Sequence, residues 1–383
     1  MDFKNLDASE WEAVVIGAGP AGSVAAHQVA KRGLSVLLVD KARFPRTKVC
    51  GSCVSERALG ALEAAGLSGP IRNLNPPRLS EFRLTFENQT VRLPLRGGIS
   101  LSREKLDFLL VEQAIGAGVC FLQGTRAALE GIEGGKRWIR LEQSSGSVRV
   151  KARVVLVSDG IGGESLGPET GFQSMVRAGS RMGLGTVVEE NSHDYPFGTI
   201  HMAVAREGYV GVVRLEDGRL NVAAALDPLL LKSREPFEAV AGILEEAGLP
   251  EISALAKAHW RGTPLLTRRP KAVSGNRFFI LGDAAGYAEP FTGEGIAWAV
   301  ETGRAVASFA QEGVRKWDPS LEKRWMKTHQ DLVSSRQQFC RLLTLGLRQR
   351  FLLRIGMKIL SREPGWAVPL VSRIHGASPW SAC

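Results

Sequence analysis

The chain has 383 residues, of which 44% are hydrophobic and 23% charged, with a formal net charge of +10. That balance excludes a disordered chain and leaves length for two or three domains. The five cysteines are an odd number in a long chain and argue against a disulfide framework, and no apolar run approaches the ~20 residues that a bilayer span needs. The opening residues, MDFKNLDASE, are polar and carry acids, so no secretory leader is expected and the predicted location is cytoplasmic.

In chain order, the first informative stretch is residues 12–40, EAVVIGAGPAGSVAAHQVAKRGLSVLLVD. Val14 to Ile16 form a short apolar run typical of a buried parallel strand. Gly17, Gly19 and Gly22 follow at GxGxxG spacing. A helix-period segment from Ser23 to Lys31 stops at Gly33, and a second strand, Ser35 to Val39, ends at Asp40. Gly17 allows a tight turn, Gly19 lets the backbone approach a pyrophosphate, and Gly22 lets helix and sheet pack closely. The helix N-terminus supplies the anion site, and Asp40 is placed to hydrogen-bond a ribose hydroxyl. Pro20, Ala21 and Lys41 fall in the same predicted dinucleotide site.

The next feature is Cys50-Gly51-Ser52-Cys53, ahead of a helix-period segment from Ser55 to Ala64 that stops at Gly66. A thiol near a helix N-terminus, with Arg46 and Lys48 close by, could have a lowered pKa. Three readings stay open: a redox disulfide, a proton-donating thiol, or two small residues packed near the cofactor. No second CxxC or histidine pair completes a zinc site, and Cys120, Cys340 and Cys383 show no spacing. A hairpin is expected from Phe82–Phe86 and Thr90–Leu95, turning at Asn88. The run from Ala152 to Val157 reads as a buried strand leading into Ser158-Asp159-Gly160.

Thr199–Ala205, Tyr209–Leu215 and Arg219–Leu226 read as three antiparallel strands carrying His201, Tyr209, Arg214 and Asn221 as polar residues. A strand's period of two sends His201 to the face opposite Ile200 and Met202. A further strand, Arg277–Leu281, ends in Gly282-Asp283-Ala284-Ala285-Gly286. It continues through Pro290-Phe291-Thr292-Gly293-Glu294-Gly295 into a helix from Ile296 to Ala310. That helix aims backbone N–H groups at whatever precedes it. From Leu321 the chain is strongly basic and rich in leucine. The favoured reading packs those leucines on the body and solvates the arginines; the other lays a basic amphipathic helix on an anionic membrane, at its inner face, or has it grip an acidic or hydrophobic partner.

GAGPAG, SDG and GDAAGYAEPFTGEGIAWA, in that order, resemble the FAD-dependent oxidoreductases of the para-hydroxybenzoate hydroxylase superfamily. PFTGEGIAWAVETG and ARFPRTKVCG resemble its geranylgeranyl-reductase-like branch and the related halogenases. The strand Gly208–Arg214 lacks the tryptophan and proline usual in that branch, and the Trp-containing halogenase signature is absent. The resemblance implies FAD, with Asp283 on the ribityl chain, Asp159 and Gly160 near the pyrophosphate, and Arg103 on the ribityl-phosphate region. Gly282, Gly293, Gly295 and Ile296 would complete the cofactor loops.

The expected fold is α/β: an FAD/NAD(P)-binding three-layer fold with a parallel sheet, an antiparallel β-sheet substrate domain and a helical C-terminal tail. The expected boundaries are 1–75, 98–180 and 270–320 for the FAD-binding domain, 76–97 and 181–269 for the substrate domain, and 321–383 for the tail. Only one dinucleotide fingerprint is present, so NADPH or NADH would act as a transient reductant, or a separate reductase would supply electrons. The favoured function is a monooxygenase hydroxylating a hydrophobic aromatic, polyketide- or lipid-like small molecule through a flavin C4a-hydroperoxide. The alternatives are an ene-reductase acting on a lipid or isoprenoid double bond and a non-catalytic FAD-binding accessory protein. Cys50, His201 and Tyr209 are the candidate catalytic residues. No nucleic-acid partner or metal site is expected.

Overall fold

A computed structural model describes residues 3–95, 97–167, 172, 174–289, 291–363 and 365. Its first sheet grows from the predicted βαβ unit. Strand Glu10–Ile16 runs parallel to Val36–Asp40 on one side and to Gly146–Val157 on the other, with Ile16 level with both Val39 and Val157. Cys120–Gln123 and Phe278–Ile280 extend the parallel order outward. Val36–Asp40, Phe278–Ile280 and the last four residues of Gly146–Val157 are buried throughout, which explains their continuous rather than alternating apolar runs. Gly146–Val157 does double duty. Its first half pairs antiparallel with Lys136–Gln143, and its second half joins the parallel sheet and delivers Ser158 to the ligand edge.

Helix Pro20–Ala30 packs against Gly295–Arg315 and Arg103–Gly116. Pro20 at the first helical position starts that helix three residues before the predicted Ser23, because a proline loses nothing where the N–H has no partner. The helix from Glu56 to Ala64 is capped as expected: the Ser55 side chain accepts from the Ala58 N–H.

A second, seven-stranded sheet runs in the order Arg261–Leu265, Met182–Val188, Leu220–Leu226, Gly208–Arg214, Thr199–Val204, Glu81–Phe86 and Gln89–Pro94. All its pairings are antiparallel except Thr199–Val204 with Glu81–Phe86. Helix Pro236–Ala247 covers one face through Ala239, Val240, Ile243 and Leu244. The opposite face looks into a cavity shared with the first sheet.

Helices Ser320–His329, Ser335–Leu347 and Arg350–Arg362 follow the body, with a single π-helical turn at Gln330–Ser334. Leu347, Leu353 and Met357 are buried against the second sheet's cluster, as a packed tail requires, but Leu342, Leu345 and Phe351 face outward.

Candidate FAD and substrate site

The glycine-rich loop is shaped by close backbone approach. Gly17 has a φ of +97°, and a Cβ there would stand 2.3 Å from the Ser158 carbonyl oxygen. A Cβ on Gly22 would fall 1.8 Å from the Gly17 carbonyl oxygen. Gly19 differs. The nearest atoms to its ideal Cβ are guanidinium nitrogens of Arg46 and Arg103, at 3.7 and 3.9 Å. Gly19 also caps the Pro20–Ala30 helix without any side-chain hydrogen bond, so the first N–H groups point at open space flanked by two cations. This is an anion cradle.

Asp40 and Asp107 hold the cradle. The Ala18 N–H donates to Asp40 Oδ2 (2.7 Å), and the Ala42 N–H donates to Oδ1 (2.8 Å). Arg103 donates to both oxygens of Asp107, at 2.9 and 2.8 Å, and Arg46 Nη2 lies 3.2 Å from the same carboxylate. The two guanidiniums are thus fixed from behind, leaving their fronts for a pyrophosphate. Lys48 Nζ reaches Asp283 Oδ2 at 3.4 Å. An open cradle, two restrained cations and a strand-end carboxylate fit FAD.

Gly19, Pro20, Ala21, Arg103, Gly160 and Gly282 line one cavity, joined by Asp283, Gly293, Gly295 and Ile296. Gly17, Gly22 and Asp40 stand behind that surface and shape it. Pro290 lies outside the described residues. Two predicted cofactor residues are placed otherwise. Lys41 pairs with the exposed Glu164 at 3.0 Å. Asp159 turns its carboxylate from the cavity and accepts the Ser165 N–H at 2.9 Å, just before the Gly160–Gly162 turn. Burial raises its pKa, only partly offset by the Ser165 hydrogen bonds. Ser158 and Gly160 face the ligand side in its stead.

Sequence reasoning missed Arg46 and Lys48 as ligand-side cations and treated them only as neighbours of the thiols. It also missed the buried network at the helix pointing into the cavity. Arg57 donates to both oxygens of Glu301, at 2.8 and 2.5 Å, and to Glu294 at 3.1 Å; Arg336 adds a bond to Glu294 at 3.2 Å. Glu294 is the residue before Gly295, where the Gly295–Arg315 helix begins. Burial raises the Glu294 pKa, opposed by Arg57 and Arg336.

Beyond the cofactor edge the cavity, about 460 Å³, becomes apolar, mainly aliphatic with Phe82, Tyr209, Tyr287 and Phe291 among its walls. Its walls include Leu84, Leu93, Ile200 and Met202 from the second sheet, and Leu347 and Met357 from the C-terminal helices. Tyr209 stands among them with its ring 5.2 Å from Phe291, edge to face, and its buried hydroxyl without a partner among the described residues. Burial, then the Glu289 charge, pushes the Tyr209 pKa well up, so the hydroxyl stays protonated.

Cys50 lines the cavity and faces the Arg103 guanidinium. The Ser52 N–H donates to its sulfur at 3.4 Å, and Asn221 Nδ2 donates to its carbonyl at 2.9 Å. Asn221 therefore clamps the cysteine loop to the substrate sheet. Cys53 is a separate free thiol donating to the Gly51 carbonyl, and burial, followed by the neighbouring Cys50, pushes its pKa up to about 12. That opposes the lowered thiol pKa suggested by the nearby cations. Arg214 is spent on structure, donating to the carbonyls of Glu190, Ser192, Tyr195 and Gly218.

His201 is not brought to the cavity, which corrects its candidate catalytic role. Ile200 and Met202 take the cavity face, so the strand's period turns His201 to the other side, where its ring meets Tyr195 at 4.9 Å. Burial, followed by the Arg83 charge, pushes its pKa down to about 4. Burial does the same to His329, also to about 4. A histidine whose folded pKa lies below its unfolded value of ~6.5 leaves stability whole above that pH and removes it as pH falls towards 4. Each residue is expected to cost up to about 1.4 kcal/mol per pH unit across that window. Thermal melts taken between neutral pH and pH ~4 test this, with His201→Phe flattening part of the slope; a wild-type slope in that variant refutes the assignment.

The comparisons agree with the geometry. Residues 10–310 match the family model described as FAD binding domain. The chain belongs to that family. This flavoprotein is an FAD-dependent oxidoreductase, as the three motifs implied. It is 27% identical over 345 residues to a menaquinone reductase of Mycobacterium tuberculosis, covering 82% of this chain and 80% of that one. Identity is also 27%, over 344 residues, with digeranylgeranylglycerophospholipid reductase 2 of Methanothermobacter thermautotrophicus, covering 83% and 84%. Among solved structures, a geranylgeranyl bacteriochlorophyll reductase-like protein from Thermoplasma acidophilum superimposes with a TM-score of 0.77 at 20% identity, covering 97% of this chain and 98% of that one. A p-nitrophenol 4-monooxygenase from Pseudomonas putida gives the same TM-score at 14% identity, covering 96% and 97%. At such identities the two structures share the fold alone.

Proposed function

We propose that the flavoprotein reduces carbon–carbon double bonds of a long isoprenoid or lipid-like molecule, with NADPH or NADH as the electron source. The observation that carries this reading is the cavity, whose cofactor edge is polar and whose remaining wall is apolar, mainly aliphatic with Phe82, Tyr209, Tyr287 and Phe291 among it, as far as the C-terminal helices. A hydrophobic acceptor for hydroxylation would also fit such a wall. The balance moves because the relatives sharing about four-fifths of the chain are named as reductases, of menaquinone and of digeranylgeranylglycerophospholipid.

Bound FAD supplies hydride chemistry at the polar edge. The chain then has three tasks. Its apolar wall excludes water and aligns an extended apolar chain. The N-terminus of the Gly295–Arg315 helix lines the cavity and would hold bound FAD with its positive dipole end towards negative charge on the reduced cofactor. Cys50 Sγ, in the cavity wall beside Arg103, delivers the proton to the second alkene carbon. Tyr209 contributes its ring to that wall, its hydroxyl being buried and without a partner among the described residues.

The test is an anaerobic incubation of the FAD-loaded protein with NADPH and a polyprenyl quinone or polyprenyl glycerolipid, followed by mass spectrometry. A gain of two hydrogens without oxygen supports the reading. No reduced product anaerobically, with a product carrying one added oxygen atom in a parallel incubation in air, refutes it in favour of hydroxylation. Cys50→Ala is expected to slow alkene reduction by about 10²- to 10⁴-fold, the usual weight of a general acid, while flavin reduction by NADPH stays unchanged. Equal turnover in that variant removes Cys50 from the mechanism.

A further inference from the structure

The last two described helices are apolar on two faces. Leu343, Leu353 and Met357 point into the cavity, whereas Leu345, Phe351, Ile355 and Ile359 point into solvent, Phe351 with 72% of its surface exposed. Leu342 and Leu352 belong to both sets. They line the cavity and are 70% and 55% exposed, so they form part of its rim. A globular helix gains nothing by presenting bulky apolar residues outward beside an opening.

The charges sort in a matching way. Arg350 and Arg354 are neutralised by Glu87 and Glu246, and Arg348 by Glu289; these pairs fasten the helices to the body. Arg341, next to Leu342, instead has Arg177 and Arg269 as its neighbouring charges, and its Nε is buried without a partner among the described residues. Among the described residues no salt bridge joins Arg177, Arg269 or Arg341 to a carboxylate. Met175 lies opposite Arg269 in a strand pair and is 58% exposed, and Arg348 Nη1 ties the adjoining turn to the helix through the Gly179 carbonyl at 2.8 Å. A guanidinium cluster that no described carboxylate pairs thus sits beside exposed apolar side chains at a cavity mouth.

We infer that this rim docks on the surface of an anionic lipid bilayer, with its apolar side chains in the acyl boundary and the three arginines at the lipid phosphates. That arrangement matches the two requirements of interfacial binding, buried apolar area and attraction to anionic headgroups. It also opens the cavity towards the acyl layer, so an apolar substrate enters without crossing water. No described helix is long and apolar enough to span the membrane, so the contact is peripheral. A second copy fits poorly, because a two-fold interface through this patch sets cation cluster against cation cluster.

The full-length, FAD-loaded protein is to be sedimented with vesicles of phosphatidylcholine alone and of phosphatidylcholine with phosphatidylglycerol, at low and high salt. Binding is expected on the anionic vesicles and is weakened by salt. Phe351→Glu/Ile355→Glu and Arg177→Glu/Arg269→Glu are each expected to weaken it by about tenfold or more, with flavin content and melting unchanged. No sedimentation on anionic vesicles overturns the inference, as does binding indifferent to both pairs. A wild-type dimer that those substitutions split into monomers assigns the face to a second copy and also overturns it. Binding lost only on removal of residues 366–383 has the same consequence, since the anchor then lies in the tail. Vesicle binding needs no turnover, so it and the alkene test fail separately.

Discussion

Replacing Gly22 by alanine is expected to cost the protein both its flavin and much of its thermal stability. The added Cβ would fall 1.8 Å from the Gly17 carbonyl oxygen and 2.4 Å from Ser158 Oγ. The first is backbone, so no rotamer change relieves the overlap, and the Pro20–Ala30 helix must lift from the sheet. Overpacking a side-chain core usually costs about 1–3 kcal/mol; a backbone clash at the centre of the βαβ unit belongs at or above the top of that range. Gly19→Ala makes the informative contrast. Its Cβ meets only the two guanidinium tips, at 3.7 and 3.9 Å, so the apo fold tolerates it. The methyl nevertheless occupies the approach to the helix N-terminus, and FAD affinity is expected to fall by about 100-fold, or about 2.7 kcal/mol. Flavin absorbance per polypeptide and melts of the flavin-free protein separate the two variants. Wild-type melting in Gly22→Ala would show that the close packing is dispensable, and full flavin retention in Gly19→Ala would move the pyrophosphate away from the cradle.

The contrast follows how the sequence encodes this site. Gly17, Gly19 and Gly22 could be read because the cradle is local: one strand, one turn and one helix dictate it within about thirty residues, whereas Asp40, expected on a ribose hydroxyl, stands behind the cavity surface and accepts the Ala18 and Ala42 N–H groups. The strand ends at Ser158 and Gly282 were legible for the same reason, since each apolar run stops at a loop rich in small residues. Asp159 was misplaced because the motif identifies a turn without saying which residue's side chain faces outward. His201 shows a subtler limit. Alternation correctly set it opposite Ile200 and Met202, but only tertiary packing decides which face of a sheet becomes the cavity. Arg57 and Glu301 stand 244 positions apart, and nothing in either local sequence marks a buried charge awaiting a partner. The C-terminal leucines carried two readings because a helix apolar on both faces satisfies neither simple pattern; the fold buries one face and leaves the other outward.

The second large effect concerns that long-range network. Arg57→Leu is expected to destabilise the protein by about 3–5 kcal/mol, the usual cost of removing one partner from a buried ion pair. The arginine is 3% exposed and serves two carboxylates that are themselves buried, Glu294 at 1% and Glu301 at 5%. Leucine fills much of the space, so the loss is electrostatic rather than a cavity. Glu294 retains Arg336, while Glu301 loses both oxygens' partners. The pH dependence gives the sign. The folded-state pKa of Glu294 is already raised by burial, and losing Arg57 raises it further. A carboxyl whose folded pKa exceeds its unfolded value destabilises once ionised, so its penalty grows as pH rises and shrinks as pH falls towards the unfolded value. The gap between Arg57→Leu and wild type is therefore expected to narrow on acidification, and the added Glu301→Gln should recover part of it at neutral pH. Denaturant unfolding at two pH values measures both. A pH-independent deficit would mean that Arg57 acts through packing alone, and the network would then not be what fixes the helix start at Gly295. If the gap narrows, the same charges that stabilise the fold also fix the helix dipole against the cofactor edge, and flavin affinity should fall in step with stability across the variants.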